Sequence, residues 1–352
     1  MQKTLVSTLL ILFFSLCSLS AQDQNFTQFY ASPLTLNPAL TGSFPGKYRL
    51  SMIYRDQGRS SLDVPFTTYS AAGDLRFNVR SFNKTKGDAA GVGFVFFNDK
   101  SASVNFFTNY MAVTGAFHKS LSKQGDQFLS LGIQAGIAQR NVNYDNFSFD
   151  DQFNGTDGFT DPTAEFLPEN NFSYGDYAVG IHYLYAPKDK IGVFAGAALH
   201  HLLEPDVSFY AREDIEENRN QSILWQRYTA HLGLQIPIGK SIQLVPRALA
   251  YLQGPHQALN AGSNIRILVD QFNSTALHVG GWVRVTNNDI DRYTSDAIIG
   301  LVGVEFNQFL LGFSYDAKLT QLNAGQGVNG AFEISLTFLG EYENDGVLCP
   351  SF

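Results

Sequence analysis

From residue 48 to residue 339 apolar and polar positions alternate in segments of about 9 to 15 residues, separated by turn-forming stretches. In "LHVGGWVRV", Leu277, Val279, Gly281, Val283 and Val285 fall on one face and His278, Gly280, Trp282 and Arg284 on the other, because side chains alternate along a strand. "AFEISLTF" sets Phe332, Ile334, Leu336 and Phe338 against Ala331, Glu333, Ser335 and Thr337. "YTAHLGLQIP" sets Tyr228, Ala230, Leu232, Leu234 and Ile236 against Thr229, His231, Gly233 and Gln235. "YAVGIHYLY" puts Tyr177, Val179, Ile181, Tyr183 and Tyr185 on its apolar face. The pattern predicts strands over 48–56, 66–77, 88–98, 104–118, 127–142, 172–186, 190–200, 225–237, 242–253, 257–270, 276–287, 294–307, 309–317 and 329–339. That is about 14 antiparallel strands, each long enough to cross a bilayer at a tilt.

The connections sort into two kinds. "SFNKTKG", "KSLSKQG", "APKDK", "PIGK", "DQFNS" and "NQ" follow the even strands, whereas residues 143–171 and 201–224 are long connections after odd ones. Outer-membrane barrels have short periplasmic turns and longer outer loops, so both termini are expected in the periplasm. A sheet spanning lipid must close, since an open edge leaves backbone groups unpaired. The competing architecture is a secreted β-sandwich or propeller. Against it stand the strand lengths and the regular phase of the connections.

Composition agrees with the pattern: 14% aromatic residues, 31 Gly and 3 Met make a strand-rich vocabulary. A net charge of -8 excludes a nucleic-acid footprint, which needs clustered Lys and Arg. Lys3, the apolar run Leu9–Leu16 and Ala21 read as a signal peptide over residues 1–21. Cys17 invites a lipoprotein reading, but Leu16 stands before it where a small residue is needed. Cleavage after Ala21 leaves Cys349 alone, so no internal disulfide is expected. No later run of about 18 apolar residues reads as a membrane helix.

Candidate chemistry is sparse. The connection holding Asp145, Asp150, Asp151, Asp157, Asp161, Glu165 and Glu169 has no Lys or Arg, which suits either a calcium site or a solvated acidic loop. His118, His200, His201 and His256 fit no metal signature. His182, His231 and His278, with Trp282 and Arg284, lie on polar strand faces and are candidate lumen or partner contacts. No Gly-x-Ser-x-Gly elbow is present, and neither an enzyme nor a cofactor is expected. Tyr315, Asp316 and Lys318 sit where the penultimate strand meets a Gly-rich loop, placed either to clamp a partner or to satisfy lumen groups.

"FTQFYASPLTLNPALTGS", residues 26–43, is apolar yet broken by Pro33 and Pro38, which fix φ and remove backbone donors. It is expected to be an irregular plug within a periplasmic segment 22–47, packing Phe26, Phe29, Leu34 and Leu36 into the periplasmic end of a barrel formed by residues 48–339; residues 340–352 form a periplasmic tail. The same stretch resembles the N-terminal motif of the PorP/SprF family of type IX secretion system membrane proteins of Bacteroidota, matching at Gln28, Pro33, Asn37, Pro38, Ala39 and Gly42. "GFSYDAKLTQLNAGQGVNGAFEISLTF" resembles the family's C-terminal signature through Ser314, Tyr315, Asp316 and Glu333, and "CPSF" resembles family endings.

The resemblance implies an outer-membrane barrel working with the type IX translocon. One branch of the family is linked to large secreted surface proteins, often gliding-motility adhesins, whose C-terminal signal domain it receives or anchors. The other is linked to the core apparatus through a periplasmic peptidoglycan-binding lipoprotein. Two other readings remain: a channel for small or hydrophobic solutes, and an outer-membrane lipid hydrolase needing one serine and one histidine.

Overall fold

Period-two alternation builds a closed sheet in the computed structural model of the chain. The structure describes residues 25–59, 64–79, 87–101, 105–144, 147–156, 158–165, 167–209, 223–270, 274–288, 292–319 and 330–340. The expected signal peptide over residues 1–21, with Cys17, and residues 341–352, with Cys349, lie outside them. The strands are β1 (Tyr48–Gln57), β2 (Phe66–Asn78), β3 (Ala89–Ser101), β4 (Phe106–Ser120), β5 (Gln127–Val142), β6 (Asn171–Tyr185) and β7 (Gly192–His200). They continue with β8 (Arg227–Ile238), β9 (Ile242–Gln253), β10 (His256–Asp270), β11 (Thr275–Asn288), β12 (Arg292–Phe306), β13 (Phe309–Lys318) and β14 (Gly330–Gly340). Each strand pairs with its sequence neighbours, and β1 closes the barrel on β14 from Tyr48↔Gly340 to Gln57↔Ala331. The expected fold, an antiparallel barrel of 14 strands, is the one observed.

The faces also fall as the alternation requires. Val113, Ile133, Val279 and Val302 are exposed on the outer wall, while their neighbours Thr114, Gln134 and His278 are buried inside. Exposed aromatics border this apolar band on both sides: Phe77, Phe117, Phe306 and Phe309 toward one mouth, Tyr69, Tyr228, Tyr293 and Tyr315 toward the other. Such girdles mark the two interfaces of a bilayer. Among the described residues no helix is long and apolar enough to cross a membrane.

We call the mouth where odd strands begin the turn mouth and the opposite one the loop mouth. The expected asymmetry of the connections holds only in part: at the loop mouth two residues, Gly254 and Pro255, join β9 to β10, three join β11 to β12 and four join β3 to β4, while ten join β2 to β3 at the turn mouth. Gly254 has φ +54°, and a glycine of positive φ in the first position suits a two-residue hairpin.

Residues 25–43 run inside the barrel. They form a 3-10 turn at Phe29–Ala31, a single helical turn α1 (Pro33–Leu36) and a second 3-10 turn at Pro38–Leu40. Pro33 and Pro38 each stand at the first position of a turn, where the missing N–H would have had no partner. The sequence reading of an irregular plug at one mouth is corrected in two respects: the segment is a chain of short turns, and it spans the lumen. Asn25 and Phe26 border a cavity at the loop mouth, whereas Gly42 reaches Asp74 near the turn mouth. The cause lies in the partners of its first residues, which sit in the half of the barrel nearer the loop mouth.

Candidate functional site

Gln28 is fully buried, and each of its side-chain polar groups has a partner, as does its N–H. The backbone N–H donates to Glu333 Oε2 at 2.8 Å, and the side-chain amide donates to Ser314 Oγ at 3.0 Å and to the Glu333 carbonyl at 3.2 Å. Ser335 Oγ donates to Gln28 Oε1 at 2.7 Å. The N–H of Thr27 donates to Glu333 Oε1 at 2.7 Å, and its hydroxyl donates to Asp316 Oδ2 at 2.7 Å. Two carboxylates buried this deeply need countercharge. Arg55 bridges Asp316 and Glu333, and Arg284 Nη2 lies 2.7 Å from Asp316 Oδ2. The N-terminal and C-terminal motifs are thus two halves of one latch on the inner faces of β1, β11, β13 and β14.

Asn37 forms the second anchor. Its Oδ1 accepts from Ala39 N at 2.9 Å, capping the turn that follows, while its amide donates to the carbonyls of Ile181 and Ala197 and to His231 Nε2 at 3.2 Å. Gly180 and Gly132 make room here: a Cβ on Gly180 would overlap the Asn37 side chain, and one on Gly132 would overlap Pro38 and Ala39. Gly42 ends the plug at φ +73°, in the left-handed region, with its N–H on Asp74 Oδ2 at 2.7 Å. Asp74 is held by Arg49, which also donates to the Leu40 carbonyl at 3.1 Å. His118 Nε2 donates to the Thr41 carbonyl at 2.8 Å, which leaves its Nδ1 to accept from Ser130 Oγ at 2.7 Å.

Between the anchors the packing is aromatic and aliphatic. Phe29 meets Trp282 edge-on at 5.6 Å, Arg247 lies 4.3 Å over the Tyr30 ring, and Leu34 is buried with Ala72, Val95 and Ala112. Through hydrogen bonds and packing the plug reaches all fourteen strands. Tyr30 has its hydroxyl pKa raised to about 12, chiefly because burial removes water from the ionised form.

The five lumen candidates divide. His231, Trp282 and Arg284 touch the plug; His182 stacks on His231 at 5.4 Å; His278 instead donates to Glu305 at 2.8 Å beside Arg266. The Ser-Tyr-Asp run divides too, because successive residues of a strand face opposite ways. Ser314 and Asp316 enter the latch, whereas Tyr315 faces outward in the aromatic girdle. Of the acidic connection, Asp145 and Asp157 lie outside the described residues; Asp151 accepts from Thr163 and from the N–H of Ala164. Among the described residues no three His, Cys, Asp or Glu side chains form a metal-holding group. Arg49, Arg55, Asp74 and Thr27 were missed from sequence. For Arg49, Arg55 and Asp74 the signal was charge on the inward face of strands, where an Arg needs a carboxylate nearby; Thr27, uncharged and within the plug, carried no such signal.

These features define a class: a plugged outer-membrane β-barrel whose lumen is filled by its own N-terminal segment. The model of the family described as "Type IX secretion system membrane protein PorP/SprF" matches residues 18–338, and the chain belongs to that family. No curated protein matches it. Among solved structures, a deltaS2 mutant of the TodX monoaromatic hydrocarbon channel aligns with TM-score 0.52 and 8% identity, covering 89% of this chain and 94% of that one. A FadL homologue of Pseudomonas aeruginosa aligns with TM-score 0.47 and 11% identity, covering 87% and 93% respectively. The protein is an outer-membrane component of the type IX secretion family.

Proposed function

We propose that the barrel is a non-enzymatic component that receives or anchors the C-terminal signal domain of a large secreted surface protein, such as a gliding-motility adhesin, beside the type IX translocon. The observation that carries this reading is the plug. A lumen filled by a segment that reaches all fourteen strands favours binding at the mouths over conduction through the middle. In this reading the turn mouth faces the periplasm, available to a peptidoglycan-binding lipoprotein, and the loop mouth faces outward. Copurification with the C-terminal domain of a large secreted surface protein tests the proposal; failure across several such domains sinks it.

The second reading, a channel for small or hydrophobic solutes, draws support from the fold shared with TodX. It requires the plug to shift. Flux of an aromatic hydrocarbon through the wild-type protein in vesicles would favour it.

A further inference from the structure

Arg76 lies half-buried on the inner face of β2 at the turn mouth. Arg49, Arg55, Arg266 and Arg284, also inward, each pair with a carboxylate. Among the described residues Arg76 pairs with none. Its Nη1 donates to the Gly42 carbonyl at 2.6 Å, and its guanidinium lies 5.5 Å from the centre of the Phe128 ring. Asp74, the neighbouring inward carboxylate on β2, is already engaged by Arg49 and by the Gly42 N–H. A guanidinium drawn out of water without countercharge calls for an anion. With Nη1 spent on the plug, the Nε–Nη2 edge remains, and such an edge matches the two oxygens of a carboxylate.

Arg76 opens on a pocket beneath the end of the plug. Its apolar wall is Phe44, Pro45, Phe128, Leu184 and Ala186, around about 170 Å³ of open space. The polar side chains on it are few. His118 has both ring nitrogens engaged, Nε2 by the Thr41 carbonyl and Nδ1 by Ser130. Asp126, in the β4–β5 connection, accepts from Ser122 Oγ. A cavity of about 150 Å³ is enough to hold benzene. The space therefore suits a single ring or a short branched chain whose charged end reaches Arg76.

Charge selects the ligand further. Asp126 shares the pocket with Arg76, so a dianion such as phosphate meets repulsion that a monoanion largely escapes. The exposed charges of the turns, Lys123, Lys188, Lys190 and Lys240 against Asp189, draw anions to this mouth. The carboxylate-rich connection 143–171 lies at the other.

We propose that the turn-mouth pocket binds a monocarboxylate carried on a small apolar body, with the carboxylate on Arg76 and the body against Phe44 and Phe128. This chemistry has two sources: a free aromatic or branched-chain acid, and the terminal carboxylate of a polypeptide that ends in an apolar residue. The site is independent of the anchoring function and goes beyond it.

The test uses the full-length protein in detergent with para-fluorophenylacetate as the probe, read by broadening of its fluorine resonance against micelles alone. Saturable binding is expected, displaced by phenylacetate but not by equal concentrations of phenylacetamide or inorganic phosphate. Arg76→Gln should weaken it by about tenfold or more, the size of a lost charge-assisted pair. Leu184→Trp, which fills the pocket and leaves Arg76 in place, should abolish it. A peptide ending in Leu-Phe, as free acid and as C-terminal amide, separates the sources: displacement by the acid form alone assigns the site to polypeptide ends, and displacement by neither form assigns it to free acids. Absence of saturable binding to the wild type overturns the inference. So does displacement by phosphate, by both peptide forms, or by phenylacetamide as well as by phenylacetate, none of which needs a variant to fold. Unchanged affinity in a folded Arg76→Gln protein overturns it too.

Discussion

Glu333 accepts the backbone N–H of Gln28 at 2.8 Å across 305 residues of chain, and so ties the first described turn to the last strand. The same carboxylate pairs with Arg55. Removing it strands a buried guanidinium and two N–H groups, a loss on the order of 3–5 kcal/mol for a broken buried pair. Glu333→Ala should therefore lower the unfolding temperature and expose residues 25–43 to protease while the barrel keeps its strand content. Glu333→Gln, which retains an acceptor, should cost less. Circular dichroism with limited proteolysis checks both, and a protease-resistant plug in Glu333→Ala would contradict the latch.

The strands were legible because their signal is local: each inward or outward choice repeats every second residue, and observed ends such as Tyr48–Gln57 and Ile242–Gln253 fall within a residue of the pattern. The latch was not. Gln28 and Glu333 were each visible as motif positions, yet nothing in a single sequence joins residues 305 apart until barrel closure fixes β1 beside β14. The path of the plug was hidden for a related reason. Its apolar residues said only that it would be buried, while its depth depends on where glycines such as Gly132 and Gly180 leave the wall open.

That seat can be closed by a single side chain. A leucine at Gly180 would occupy the space of the Asn37 side chain, so Gly180→Leu should dislodge the plug and raise single-channel conductance in planar bilayers above the wild-type level. A Cβ added at Gly281 would meet no atom within 4 Å, and Gly281→Leu should leave conductance unchanged. Equal conductance in Gly180→Leu and wild type would show that the segment does not seal the lumen.

Tyr30 makes plug docking depend on alkaline pH. Its pKa is raised to about 12 in place, against roughly 10 for a solvated tyrosine, so the docked plug holds the phenolic proton more tightly than a released one. The stabilisation is complete below pH 10 and is lost as pH rises through about 12. Trp282, stacked on Tyr30 at 6.2 Å, reports the change by its fluorescence. The wild type should show a transition between these limits, and Tyr30→Phe should shift or lose it; identical curves would remove Tyr30 from the account.

Depth in the membrane governs the cost of charge on the outer wall. Ile133 is 68% exposed in the middle portion of β5, between Gly115 and Val179 on the neighbouring strands, whereas Ile238 ends β8 at the turn mouth. An arginine at the bilayer midplane destabilises a barrel by roughly 2–4 kcal/mol, and one near the interface by about 0–1 kcal/mol. Ile133→Arg should therefore lower folding stability in lipid vesicles by several-fold more than Ile238→Arg, as measured by urea titration of the refolded barrel. Equal costs at the two sites would mean that the apolar band between the aromatic girdles is not the membrane-embedded surface.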